Sequence, residues 1–309
     1  MDWTQLWEIT SAPDNVPILG LLGAVGFFLW YGIRQARAND RLIAKLASGE
    51  GADHHRKTQP FKPGWETEVQ VWPYLLRIEF LAAIIVTLLL LVWSLTLNAP
   101  LEEPANPGLT MNPAKAPWYF VGLQELLVYF DPWFAGVVLP LLIIVGLMLF
   151  PYLDSSPLGS GYYTLRQRRV PLAAFGAGLA IWLAAIFVGT FIRGPGWMWF
   201  WPGQTWDHNR VVYEATRDFP ALLGIQNPWL AGGVGVLAVA AFYAGTGWVI
   251  HQLVTRSEVD RQVFRQTSAL QYLVFQFFAI TILAAVPVKI LLRLLFRVKY
   301  VLVSPWFNI

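Results

Sequence analysis

This 309-residue chain contains six stretches of about 20 predominantly apolar residues, and each is long enough to cross a lipid bilayer. The second of them contains the uncharged run Phe80–Val92. Only 13% of the residues are charged, against roughly 25% in an average soluble domain. The sequence therefore predicts an all-α integral membrane protein of about six transmembrane helices. The expected spans are residues 16–33, 78–97, 134–152, 170–192, 229–250 and 270–289.

The composition also limits the chemistry that the chain performs by itself. The absence of cysteine excludes disulfides, thiolate-bound clusters and covalent c-type haem attachment. A bis-histidine haem in a helical bundle needs imidazoles at matching depth on facing helices. The four histidines lie instead in polar loops or at a span end: His54, His55, His208 and His251. We expect this chain alone to bind no haem and no metal.

The lysines and arginines between the spans predict the orientation. No basic residue precedes the first span, whereas the connection from Arg34 to Arg77 carries eight. The third and fifth connections are also basic, and the second contains only Lys115. The positive-inside rule then places the N-terminus outside, with connections one, three and five inside. The basic C-terminal end disagrees with this pattern, and we expect residues 290–303 to form an amphipathic helix in the interface.

The second connection contains a short apolar segment that follows four prolines. Pro117 is suited to the first turn of a helix. The spacing places Trp118, Gly122, Glu125 and Tyr129 on one stripe, where Gly122 leaves room. Two interpretations remain open, the wall of a ligand pocket and a packing surface for a neighbouring element. Lys115 is expected to be solvated, with pairing to an acidic partner as the alternative.

Residues 76–193 contain a series of motifs in a distinctive order. A span is followed by Glu-Pro-Ala-Asn-Pro, a Trp-Tyr-Phe surface helix, an Asp-Pro-Trp break and a second span. Pro-Tyr-Leu-Asp, a basic turn and a third span come next. This order resembles the C-terminal half of cytochrome b, which in split form is subunit IV of the chloroplast-type cytochrome b–f complex. The family's Pro-Glu-Trp-Tyr motif lines the quinol-oxidation site on the outer face. Its place is taken here by Ala116, Pro117, Trp118 and Tyr119.

This resemblance implies a subunit of a quinol:cytochrome c oxidoreductase-type complex in a bacterial inner membrane, with a lipid environment and no nucleic-acid partner. In the family, quinol gives one electron to a Rieske iron–sulfur protein and one to a b-type haem, and two protons leave outside. The implied partners are a haem-binding cytochrome b N-terminal-half subunit, the Rieske protein and a c-type cytochrome. Haem and cluster then belong to partner subunits, while this chain shares a quinone site.

The resemblance and the residue pattern together predict the site residues. The glutamate of the family motif accepts a quinol proton, which Pro117 cannot do. Glu125 shares the face of Trp118, and we hypothesise that it has taken over the acceptor role. Ala116, Pro117, Trp118, Tyr119, Phe120, Gly122 and Tyr129 are predicted to contact quinol. Arg77 and Glu79, at the inner end of span two, form either an interface pair or an inner-face quinone or proton site.

The sequence predicts three parts: an anchor with a basic connection (1–75), the cytochrome b-like core of three spans (76–193), and an aromatic outer loop with two further spans and an amphipathic tail (194–309). The loop is either an interfacial tryptophan belt or a docking surface for partners. Three other functions remain open. They are a quinone-pocket anchor of a non-bifurcating respiratory complex, a structural subunit with an inactive pocket, and a transporter.

Overall fold

The computed structural model describes residues 3–12, 15–49, 71–96, 104–154, 163–201, 203–212 and 214–309. Within these ranges the secondary structure is helical, with isolated β-bridges in place of strands. In chain order the helices are α1 (Trp3–Ser11), α2 (Val16–Ala47), α3 (Val71–Thr96), α4 (Trp118–Leu126), α5 (Phe134–Leu153), α6 (Arg169–Ile192), α7 (Phe219–Leu222), α8 (Pro228–Val254), α9 (Glu258–Arg265) and α10 (Ala269–Phe296).

Six of these helices are long and apolar enough to cross a membrane: α2, α3, α5, α6, α8 and α10. The prediction of an all-α, six-span membrane protein is confirmed. Side-chain caps explain where two of them begin. The side chain of Asn227 accepts hydrogen bonds from the first amides of α8, and Ser268 forms a capping box with Gln271 at the start of α10.

The chain divides into two compact units. One comprises residues 1–37 and 109–309, and the other comprises residues 38–108. The second unit contains the C-terminal part of α2 and the whole of α3. These compact units do not coincide with the three predicted parts, and that three-part division of the sequence stays a prediction.

In the first unit, the short helix α4 packs closely against α6 because glycines stand at the contact. A Cβ atom added at Gly122 would lie 3.2 Å from Cγ1 of Ile186. One added at Gly189 would lie 3.0 Å from Cγ1 of Val121. The two backbones therefore approach at a distance that larger residues would prevent.

Contacts define two ends of the helices in this unit. At one end, Arg168 before α6 pairs with Asp154 after α5 at 2.5 Å. At the same end, the Gln271 side chain donates to the carbonyl of Tyr152. At the other end, Tyr129 and Phe130 after α4 form a hydrophobic cluster with residues of α5 and α10, Val286 among them. We call this second end the site end.

The C-terminal tail differs from the predicted interfacial helix over residues 290–303. Helix α10 continues only to Phe296, and Arg297 ends it with φ of 55°. The chain then pairs with the loop before α7, where the amide of Lys299 donates to the carbonyl of Arg217 at 2.8 Å. Arg293 pairs with Glu214 at 2.6 Å. The basic charge that disagreed with the orientation pattern is thus partly compensated by an acidic residue of that loop.

Some predictions concern residues outside the described ranges. His54 and His55 lie there, as do residues 50–70 of the basic connection and residues 97–103 at the start of the proline-rich loop. Nothing in the structure bears on them.

Candidate functional site

The carboxylate of Glu125 is buried at the contact of α4 and α6, with the residue only 2% exposed. Arg193, directly after α6, binds it through two nitrogens. Its Nη2 lies 2.8 Å from Oε1 and its Nε lies 2.9 Å from Oε2. This is the bidentate geometry in which a guanidinium fits a carboxylate best.

Two aromatic side chains complete the shell around this carboxylate. The hydroxyl of Tyr129 donates to Oε1 at 2.8 Å, and the indole Nε1 of Trp197 donates to Oε2 at 3.0 Å. Arg193 also donates through Nη1 to the carbonyl of Trp197 at 3.0 Å. Each carboxylate oxygen therefore accepts at least two hydrogen bonds, as a buried ion pair requires if desolvation is to be offset.

The electrostatics of the cluster favour a charged Arg193 and a neutral Tyr129. Burial raises the pKa of Tyr129 above its usual range, and the neighbouring Glu125 charge raises it further. Burial lowers the pKa of Arg193, but its hydrogen bonds to Glu125 and the charge of that carboxylate outweigh burial, so this pKa is raised overall. The cluster links α4 firmly to the end of α6.

A cavity of about 750 Å³ lies beside the N-terminal end of α4. Its walls come from α1, the start of α2, the loop residues Met111, Pro113 and 115–117, the end of α6 and the aromatic loop after α6. Small-molecule sites typically have 300–1,000 Å³ of volume, apolar walls and a few polar groups. Trp118 and Trp206 supply aromatic walls here, and Lys115, Thr190 and Glu8 supply polar groups.

Lys115 is not solvated as the sequence predicted. Its Nζ donates to the backbone carbonyl of Thr190 at 2.5 Å and lies 5.2 Å from the centre of the Trp206 ring. Burial lowers its pKa to about 8. The expectation failed because the aromatic loop, which comes much later in the sequence, folds over this lysine.

The structure separates the predicted quinol contacts and the predicted proton acceptor Glu125 into three groups. Ala116, Pro117 and Trp118 line the cavity. Tyr119 and Phe120 are on the outside of α4, 48% and 53% exposed. The third group is buried: Gly122 and Glu125 on α4, and Tyr129 just after it.

The contacts of the buried face show whether the stripe on α4 is a pocket wall or a packing surface. The room over Gly122 is filled by Ile186 and Trp182 of α6. The stripe is therefore a packing surface, and the cavity lies at one end of it.

Arg77 and Glu79 are both exposed in the early turns of α3, in the second compact unit, and their inner-face role stays a prediction.

Four residues of the site were not predicted from the sequence: Arg193, Trp197, Thr190 and Trp206. Arg193 carried a signal, because an arginine directly after an apolar span at the end predicted to face outside runs against the positive-inside rule. The loop tryptophans were interpreted only as a belt or a docking surface. Trp197 and Trp206 instead contact Glu125 and Lys115, while Trp201 of the same loop is 61% exposed.

The described ranges contain no group of three or more His, Asp or Glu side chains that could hold a metal ion. His251, at the end of α8, has its Nδ1 2.7 Å from the hydroxyl of Tyr272 in α10. That contact lies at the end opposite the site end.

Fold and site together define a multi-pass helical membrane protein with a ligand-sized cavity at one end of its spans. Residues 104–191 match the family model described as cytochrome b (C-terminal)/b6/petD. The matched segment extends from the loop before α4 nearly to the end of α6, so it contains Glu125 and the cavity residues Lys115 and Thr190. The resemblance seen in the sequence is confirmed for this segment. No curated protein and no solved structure matches the chain.

Proposed function

We propose that this chain is a haem-free subunit of a quinol:cytochrome c oxidoreductase-type complex and that the cavity beside α4 binds quinol. One observation supports this most directly. Ala116, Pro117 and Trp118, which stand where the family carries its quinol-site motif, line a cavity of about 750 Å³. The cavity lies within reach of the bilayer, because helices α2 and α6 contribute to its walls.

The chemistry of the walls suits a quinol head group, which is a flat aromatic ring bearing two hydroxyls. Trp118 and Trp206 offer ring faces and edges for stacking. Lys115 and Thr190 offer groups that hydrogen-bond hydroxyl oxygens. A few polar groups in an otherwise apolar cavity are what orient a small ligand.

Oxidation of the bound quinol releases two electrons and two protons. In this proposal one electron passes to a Rieske cluster and one to a b haem, both on partner subunits, and a c-type cytochrome receives electrons from the cluster. The site end faces the outside of a bacterial inner membrane and the N-terminus lies outside, so the protons leave there. Support for this orientation comes from the basic residues at the opposite end: Arg166, Arg168, Arg169, Arg256, Arg261 and Arg265.

The acceptor role hypothesised for Glu125 stays a prediction. Its contacts favour a positioning role, because both carboxylate oxygens are occupied by Arg193, Tyr129 and Trp197. The residue is also absent from the cavity wall. In this account Glu125 holds α4 against α6 and so keeps Trp118 at the cavity.

Filling the cavity tests the proposed function. In the purified complex, Ala116→Trp places an indole at the cavity wall and is expected to lower quinol:cytochrome c reductase kcat/KM by at least about 10-fold. The matched control is Ala114→Trp, an exposed position of the same loop outside the wall, which is expected to stay within about twofold. Equal activity of both variants would contradict the assignment of the cavity. Quinol oxidation by a complex that contains no Rieske protein would favour the non-bifurcating alternative.

A further inference from the structure

The cavity wall contains one basic group that is poised to take part in proton transfer. Lys115 lines the cavity, and its Nζ is held between two other wall residues, the carbonyl of Thr190 and the ring of Trp206. The side chain is thus fixed in position, unlike that of a solvated surface lysine. In the proposed function this amine forms a hydrogen bond to the quinol.

A neutral lysine amine has two N–H donors and one lone pair. One N–H suffices for the hydrogen bond to the Thr190 carbonyl, and the lone pair remains available to a ligand in the cavity. The Thr190 hydroxyl is buried and has no hydrogen-bond partner among the described residues. A ligand hydroxyl would offer a partner to a group that otherwise carries a desolvation cost.

The neutral form of this amine is accessible near physiological pH. Burial lowers the pKa of Lys115 to about 8, whereas a lysine in water has a pKa near 10.4. A proton acceptor works best when its pKa lies close to the operating pH. Buried lysines serve as general bases elsewhere for this reason.

The other charged groups near Lys115 leave it as the best-placed base. Glu8 shares the cavity wall but is exposed. Arg193, three residues after Thr190, is engaged by Glu125 and Trp197. Asp207, next to Trp206, is exposed and accepts a hydrogen bond from the amide of Asn209.

We propose that Lys115 accepts the first proton of the bound quinol, in the role that the family gives to a motif glutamate and that Pro117 cannot perform. The O–H bond of one quinol hydroxyl breaks, an N–H bond forms on Nζ, and the products are the quinol monoanion and a lysine ammonium. The ammonium then passes the proton to water at the cavity mouth and regains its lone pair. This inference rests on the proposed function, since it needs quinol in the cavity.

The sign of the pH dependence follows from the same chemistry. Only the unprotonated amine accepts a proton, so kcat of the wild-type complex rises with pH through an apparent pKa near 8. Below that pH the ammonium form dominates and turnover falls. The hydrogen bond to Thr190 persists in both forms.

The test compares Lys115→Arg with wild type in the purified complex, from about pH 6 to about pH 10. Arginine keeps the positive charge and the donor to Thr190 but does not lose its proton in this range. We expect kcat to fall by about 100-fold or more, with the rise near pH 8 lost, while binding of a quinone analogue stays within about threefold. Lys45→Arg, at an exposed lysine of α2, is the matched control and should behave as wild type.

Retention of the wild-type rate and of the pH rise by Lys115→Arg would overturn the proposal, as would loss of that rise in Glu8→Gln. Both failures are distinguishable from failure of the proposed function. If the cavity is not the quinol site, Ala116→Trp will leave the turnover of the complex intact. If only the role of Lys115 is wrong, Ala116→Trp will impair turnover and Lys115→Arg will not.

Discussion

Arg193 and Glu125 form the most deeply buried ion pair among the described residues, so their charges are almost fully removed from solvent. Removing one partner of such a pair leaves an uncompensated charge and typically costs about 3–5 kcal/mol. We expect Arg193→Met to lower the unfolding free energy by about this amount, measured as loss of thermal stability in detergent. Arginine at this position also supports Tyr129 and the Trp197 carbonyl, so several contacts fail together.

The pair between Arg168 and Asp154 provides the control, since both side chains are partly exposed at the opposite end. Exposed ion pairs contribute about 1 kcal/mol or less. Arg168→Met is therefore expected to change stability much less than Arg193→Met. Comparable losses in the two variants would show that the Arg193 contact does not stabilise the site end.

For individual residues, sequence periodicity identified the buried stripe of α4 but not the residues that contact it. Spacing of 3.6 residues per turn is local, so Glu125, Gly122 and Tyr129 were correctly placed on one face. The partner Arg193 lies 68 residues further along the chain, and its approach depends on where α6 ends. Local pattern carries no information about such a distance.

At the scale of elements, the crossing of α4 over α6 depends on glycine at the contact. A side chain at Gly189 would meet both the side chain and the carbonyl oxygen of Val121, which is backbone and cannot rotate away. We expect Gly189→Leu to displace α4, to cost about 1–3 kcal/mol and to reduce quinol turnover by widening or collapsing the cavity wall. Thermal unfolding and quinol:cytochrome c reductase assays measure the two effects.

Gly176 in the same helix is the matched control, because a Cβ atom there meets no atom within 4 Å. Gly176→Leu should leave both stability and turnover close to wild type. A large effect at Gly176 and none at Gly189 would contradict the packing role given to α4.

The membrane-spanning helices were the most predictable elements, because a long run of apolar residues identifies each of them. All six predicted spans are helical in the structure. The observed helices are longer than the predicted spans where capping or polar helix formers extend them; α2, for example, continues to Ala47. The tail was the exception. Its charges suggested an interfacial helix, whereas Arg297 ends the helix and the chain pairs with the loop before α7.

At the scale of the whole molecule, the proposed function assigns the cavity and the proton acceptor to this chain. It assigns haem and the iron–sulfur cluster to partner subunits. Such a division of labour makes the complex, not the isolated chain, the unit on which function is measured.

The most direct test is the absorbance spectrum of the complex purified through this chain in mild detergent, recorded as quinol-reduced minus oxidised. We predict a b-haem band that appears on addition of quinol, and no such band from the chain expressed without partners. We also predict that Ala116→Trp slows the appearance of the band. A complex without b haem, or one whose haem is reduced by a chemical reductant but not by quinol, would contradict the proposed function.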